Sequence, residues 1–127
     1  MTGVQTCALP ICLLKNAALY NKLFEGSKVG TPYHDPRTRH IYNQYVIRVQ
    51  NRDGLKKHLA EKNIGCEVYY PVPLHIQKCF ANLGGKPGDM PVSEAAALET
   101  LALPIYPELS EEMIRYVAQT VREFVEG

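Results

Sequence analysis

Two prolines one residue apart, Pro71 and Pro73, constrain this chain more than any other feature. They close the stretch Gly65-Cys66-Glu67-Val68-Tyr69-Tyr70-Pro71-Val72-Pro73-Leu74-His75, which begins as a strand because Val68, Tyr69 and Tyr70 all favour that conformation. A proline ring fixes φ and removes the backbone donor, so no central ladder continues through the pair. The result is a rigid extended corner with two phenols before it and an imidazole after it. Rigid corners of this kind present polar side chains to ligands. The same residues also read as half-buried core, with His75 opening a helix.

The 127 residues suit one domain with a single modest core. Fourteen Lys and Arg against thirteen Asp and Glu leave a net charge of +1, without the basic surplus of a nucleic-acid binder. No apolar run approaches the ~20 residues that span a bilayer. Neither nucleic acid nor a membrane is therefore an expected partner. Cys7, Cys12, Cys66 and Cys79 follow no zinc-ligand spacing, and no histidine pair completes one. Scattered thiols of this kind point to a reducing cytoplasm.

Residues 1–12 read as an unstructured leader. Pro10 opposes a helix through its middle, and the piece lacks the basic start and small-residue cleavage site of a signal peptide. It looks like a foreign segment of the sort left by read-through of a sequencing adapter. From Leu13 to Phe24 the spacing of Leu13, Ala17, Tyr20 and Phe24 predicts a helix, with Gly26 as its left-handed stop. Gly30 to Arg39 is a loop rich in Pro, Gly and polar residues.

His40 to Gln50 alternates as a strand. Ile41, Asn43, Tyr45, Ile47 and Val49 are expected on the core face, with Tyr42, Gln44, Val46 and Arg48 opposite. Asn51 is placed to cap a helix from Arg52 to Lys62, stopped by Asn63 or Gly65. With the Val68–Tyr70 strand this makes a β-α-β unit. Beyond His75 the pattern predicts a short helix over Ile76–Leu83 and a turn-rich loop to Pro91. A helix capped by Ser93 follows to about Leu101, then an edge strand over Leu103–Pro107. The last helix, capped by Ser110, carries Ile114, Val117, Val121, Phe124 and Val125 on one face. The expected architecture is an α/β (α+β) small domain, a sheet of three to four strands with helices packed mainly on one face.

Chemistry is sparse. There is no Gly-rich phosphate loop, no Gly-x-Ser-x-Gly elbow and no metal cluster. All eight lysines fall on helix surfaces or in polar loops, without the apolar surroundings that lower a lysine pKa for Schiff-base work. Alone, the chain is expected to catalyse nothing. A stand-alone ligand-binding or protein-interaction module is the competing class.

Taken in order, six pieces form a specific series. They are His40-Ile41-Tyr42-Asn43-Gln44-Tyr45-Val46-Ile47-Arg48-Val49, the helix start Asn51-Arg52-Asp53, Ile64-Gly65, Tyr69-Tyr70-Pro71-Val72-Pro73-Leu74-His75, Gly88-Asp89-Met90-Pro91-Val92-Ser93-Glu94 and Leu103-Pro104-Ile105-Tyr106-Pro107-Glu108-Leu109. The series resembles the C-terminal part of the DegT/StrS family of pyridoxal-phosphate-dependent nucleotide-sugar aminotransferases. The resemblance covers Leu13 to Gly127.

It implies the small domain of a fold-type I aminotransferase over residues 13–127, with the large cofactor-binding domain and its Schiff-base lysine missing here. The complete enzyme would be a cytoplasmic homodimer. It would use pyridoxal phosphate to move an amino group, usually from glutamate, to a keto nucleotide-sugar in amino-sugar or cell-surface polysaccharide biosynthesis. The fragment itself is expected to bind no cofactor and no metal. The resemblance places Tyr69 and Tyr70 beside the substrate sugar. Tyr69 stands where the family often has histidine, which changes the donor. Tyr70 and His75 match the family pattern, and His40 matches a strand near the small-domain edge, where a structural role is equally open. The implied substrate-binding set is Tyr69, Tyr70, His75 and His40, with no catalytic residue in this chain.

Overall fold

The computed structural model describes residues 2–127, with side chains described from Leu9 onward. The elements follow in the order α1 (Thr2–Phe24), β1 (Tyr45–Arg48), α2 (Arg52–Glu61), α3 (Pro91–Glu99), β2 (Thr100–Leu103) and α4 (Glu111–Glu126). Two 3-10 turns, Leu74–Ile76 and Lys78–Leu83, lie between α2 and α3.

The two strands pair antiparallel, with Tyr45 opposite Leu103, Val46 opposite Ala102 and Ile47 opposite Leu101. Because side chains alternate along a strand, Tyr45, Ile47, Leu101 and Leu103 share one face and Val46 and Ala102 share the other. The first face is fully buried. Against it pack Ala17, Tyr20 and Phe24 of α1, Leu55 and Leu59 of α2, and Ile114, Val117, Ala118 and Val121 of α4. Each large apolar side chain buried there contributes about 1.5–3 kcal/mol. Buried phenols join this core with their hydroxyls satisfied: Tyr20 donates to the Pro104 carbonyl at 2.9 Å and Tyr45 to Asn21 Oδ1 at 2.6 Å. Burial pushes both phenol pKa values far up, so they stay neutral at any working pH.

The expected caps form. The Asn51 side chain accepts from the Gly54 amide at 3.3 Å, and Ser110 Oγ accepts from the Met113 amide at 3.1 Å. Gly26 takes the left-handed conformation after α1, and Asn63, rather than Gly65, does so after α2.

Several expectations need correction. Val68–Tyr70 is not a strand, and the β-α-β unit does not form: the partner of β1 is β2. Glu67 makes a single bridge to Ala102, with amide–carbonyl bonds of 3.1 and 2.8 Å, before the chain leaves the sheet ahead of Pro71. A matching bridge, Gly30 to Arg48, extends the other edge. The fold class stands, but the sheet has two regular strands with one bridging residue on each side. Helices α1, α2 and α4 cover one face, and α3 contacts β1 from the other.

The strand expected from His40 begins only at Tyr45, because Tyr42 adopts φ 52° and shifts the alternation. Tyr42 is therefore buried and Ile41 exposed, the reverse of the expected pattern. Pro91, not Glu94, opens α3, and Met90 rather than Ser93 is its cap residue. Ile76–Leu83 forms 3-10 turns that end at left-handed Gly84. The strand expected over Leu103–Pro107 is displaced upstream to Thr100–Leu103, where no proline removes a donor. Residues 1–12 were expected to be unstructured, yet α1 runs from Thr2 through Pro10. Pro10 removes one backbone donor from the interior of that helix.

Candidate functional site

The outer face of the sheet carries a groove of about 430 Å³. Tyr69, Tyr70, Val72, Pro73 and Leu74 of the corner line it, together with Ser93, Ala96 and Ala97 of α3. Val46, Thr100 and Ala102 contribute the outward positions of the two strands, and Gln44 and Glu67 add polar groups. Local sequence explains this layout. The prolines swing the chain off the sheet edge, and small Ala96 and Ala97 keep α3 from filling the space.

Tyr69 and Tyr70 are 50% and 69% exposed, so they are not core residues. The corner that carries them is held from its far side. Gln77 Nε2 donates to the Val72 carbonyl at 3.1 Å, and the Ile76 amide donates to the Pro73 carbonyl at 3.2 Å. His75 is mostly buried and pairs through Nε2 with Glu94 Oε1 at 2.9 Å. The glycine after Gly84 is required here, because a side chain on Gly85 would collide with the His75 carbonyl oxygen.

Glu94 is a junction. Besides His75 it accepts from the amide of Gly88 at 2.9 and 3.0 Å and from that of Met90 at 3.2 Å. Partial loss of solvent pushes its carboxyl pKa up. The Gly88 amide, the His75 ring and the Met90 amide together outweigh that and hold it below the usual carboxylate range.

His40 sits in a different setting. Its Nδ1 accepts from the Tyr42 amide at 2.9 Å, and its ring stacks on Tyr42 with centroids 4.0 Å apart. His34 meets its edge at 6.1 Å and contacts the Thr38 carbonyl through Nε2 at 2.8 Å. The structure thus brings Tyr69 and Tyr70 together on one groove, sets His75 behind the corner and places His40 outside the groove lining. Sequence reasoning missed Gln44, Thr100 and the junction role of Glu94. An acidic residue four places after the cap residue Met90 was the available signal for the last.

Every lysine is exposed, and none lines the groove. Among the described residues no three His, Cys, Asp or Glu side chains are placed to hold a metal. No helix among them is long and apolar enough to cross a membrane.

Comparison with known proteins gives consistent matches. The model of the DegT/DnrJ/EryC1/StrS aminotransferase family matches residues 14–122. A pleiotropic regulatory protein of Geobacillus stearothermophilus is 46% identical over 113 residues, covering 87% of this chain and 30% of the relative. A UDP-N-acetyl-3-dehydro-alpha-D-glucosamine 3-aminotransferase of Acidithiobacillus ferrooxidans is 33% identical over 111 residues, again 87% of this chain and 30% of the relative. Among solved structures, Streptomyces venezuelae DesV in complex with a ketimine intermediate superposes with a TM-score of 0.89 at 30% identity, covering 94% of this chain and 32% of that one. The chain spans about 30% of the length of the curated relatives it matches.

Proposed function

The chain belongs to the DegT/DnrJ/EryC1/StrS aminotransferase family, and we propose that it serves as the C-terminal small domain of a nucleotide-sugar aminotransferase. The complete protein transfers an amino group, with glutamate as donor, to a keto group on a nucleotide-linked sugar. The reaction belongs to amino-sugar or cell-surface polysaccharide assembly. The observation that carries this reading is the pair of exposed phenols, Tyr69 and Tyr70, held over a groove by a corner that the family match includes. The relative that acts on a UDP-linked keto sugar supports the substrate class.

A phenol offers a donor and an acceptor to sugar hydroxyls, and its ring covers an apolar sugar face. The prolines fix the corner before ligand arrives, so less ordering entropy is lost on binding. His75 supports the corner from behind through its contact with Glu94, and the proposed set extends to it by family resemblance. His40 completes the proposed set from the neighbouring loop.

Family membership implies pyridoxal phosphate in the complete enzyme, where it acts as the electron sink of transamination. The residues of this chain do not fit that group, because no lysine reaches the groove. No chemical step is therefore assigned to the domain; it binds, orients and excludes water. The complete enzyme is read as a cytoplasmic homodimer, in keeping with its family. The domain proper runs over residues 13–127, and residues 1–12 lie outside it. The family match beginning at Leu14 and the exposure of Leu9 and Ile11 support that division.

The test uses the complete protein supplied with pyridoxal phosphate, glutamate and a panel of UDP- and dTDP-linked keto sugars. Formation of 2-oxoglutarate that depends on the sugar nucleotide is expected. Tyr70→Phe is expected to weaken the apparent sugar affinity by about 1–3 kcal/mol, the cost of a lost buried hydrogen bond. No 2-oxoglutarate with any sugar on the panel would overturn the proposal.

A further inference from the structure

The groove has two walls that come from separate parts of the chain. One is the corner, Tyr69 to Leu74; the other is α3, through Ser93, Ala96 and Ala97. About twenty residues separate them, mostly 3-10 turns and loop with no buried apolar side chain. Apolar packing therefore does not fix their spacing.

A polar contact joins them instead. His75, two residues beyond Pro73, meets Glu94 on the first turn of α3 at 2.9 Å. The same carboxylate accepts the amides of Gly88 and Met90 and so gathers the end of the intervening loop onto the helix start. Gly85 lies against the His75 carbonyl, which ties the middle of that loop to the corner as well. Pro71 and Pro73 leave the backbone between His75 and Tyr70 little freedom, so a displacement at His75 is carried to the phenols.

We propose that Glu94 is a positioning residue that, through His75, sets the width of the groove and the placement of Tyr69 and Tyr70. Resting on the reading of the groove as the sugar-nucleotide site, this makes Glu94 a determinant of substrate affinity although it does not line the groove. The carboxylate suits the task because Oε1 accepts from His75, Gly88 and Met90 while Oε2 accepts from Gly88 as well, so that an amide nitrogen in the Oε2 place would face the Gly88 donor. A neutral amide has a single acceptor oxygen and turns a donor toward one of those partners.

Two measurements test the proposal with the variants Glu94→Gln, His75→Leu and His75→Gln. The first is amide hydrogen exchange of this chain. Glu94→Gln and His75→Leu are expected to speed exchange at Gln77, Gly88 and Met90 by at least about tenfold while α4 stays protected. His75→Gln, which keeps a donor at the Nε2 position, is expected to restore much of the protection. Unchanged exchange in both of the first two variants overturns the positioning role.

The second measurement is steady-state kinetics of the complete protein. Glu94→Gln is expected to raise KM for the sugar nucleotide about tenfold, with kcat and the KM for glutamate within about twofold. Faster exchange with an unchanged sugar KM overturns the link between this contact and the substrate, while the protein still transaminates. A protein that releases no 2-oxoglutarate even without substitutions fails the functional reading itself, and the exchange data still decide whether Glu94 holds the two walls.

Discussion

The two faces of the sheet are held by different forces. On the inner face, β1 and β2 meet α1, α2 and α4 through fully buried Tyr, Leu, Ile and Val side chains, and the stabilisation is apolar burial. On the outer face, corner, loop and α3 are held by hydrogen bonds, a close glycine contact and two prolines, with the large side chains left in solvent. Apart from acceptors for the Tyr20 and Tyr45 hydroxyls, the inner face needs apolar volume and correct spacing, which many sequences supply. The outer face needs particular donors and acceptors at particular distances. A region built that way contributes little to global stability and much to the shape of a binding surface.

The largest expected effect breaks the inner face. Ile114→Ala should lower unfolding free energy by about 2–5 kcal/mol, because a fully buried side chain is removed and a cavity remains. Tyr70→Ala should change it by about 0.5 kcal/mol or less, since an exposed phenol loses few contacts on truncation. Urea titrations of the two variants, compared at constant m-value, check the contrast. Comparable losses would mean that the corner belongs to the cooperative core.

The same contrast explains what the sequence disclosed. Helices α2, α4 and α1 from Leu13 onward were legible because their apolar residues recur at helical spacing and their stops and caps are chemically distinct: Gly26, Asn51, Asn63 and Ser110. The corner was legible as a break because two prolines admit few alternatives. Strand pairing was not legible. Val68, Tyr69 and Tyr70 have strand propensity, but only Glu67 reaches a partner, and Thr100–Leu103 took the place beside β1 although Thr100 and Leu101 read as the end of a helix and the edge strand was expected from Leu103 onward. Pairing is decided by contacts between residues more than fifty positions apart, which local preference does not encode. The left-handed turn at Tyr42 was hidden for a similar reason. Its stabilisation comes from His40, which accepts the Tyr42 amide and stacks on its ring. Of the candidate site, the exposed phenols could be picked out from the corner, whereas the contact between His75 and Glu94 spans nineteen residues of irregular chain.

A smaller effect sharpens the comparison through acid. The pKa of Glu94 is depressed in the folded chain, so its contribution is present above its unfolded value, ~4.3, and is lost as pH falls through the lower folded value. The parent chain and Glu94→Gln should therefore differ most near neutral pH and converge as pH falls through the lower folded value. Glu111 is likewise held low by Arg115, so both proteins share the remaining acid sensitivity. Urea midpoints of the pair across this range provide the check. A gap that stays constant across the whole acid range in which the protein remains folded would show that the ionised carboxylate adds nothing to the outer face.

The smallest effect concerns α1, which belongs to the inner face along only part of its length. Leu9 and Ile11 are exposed, while Leu14 packs against the core and Ala17, Tyr20 and Phe24 are buried in it. Pro10 removes one backbone donor from that end of the helix, and short helical stretches are marginal in water. Removing residues 1–12 should therefore shift the melting temperature by less than roughly 2 °C. A fall of about 5 °C or more, the scale of ~1 kcal/mol in a domain this size, would assign the segment to the fold. Ile114→Ala in the shortened chain separates the two outcomes. If residues 1–12 lie outside the cooperative unit, that substitution lowers stability by the same amount with or without them, because distant independent sites add.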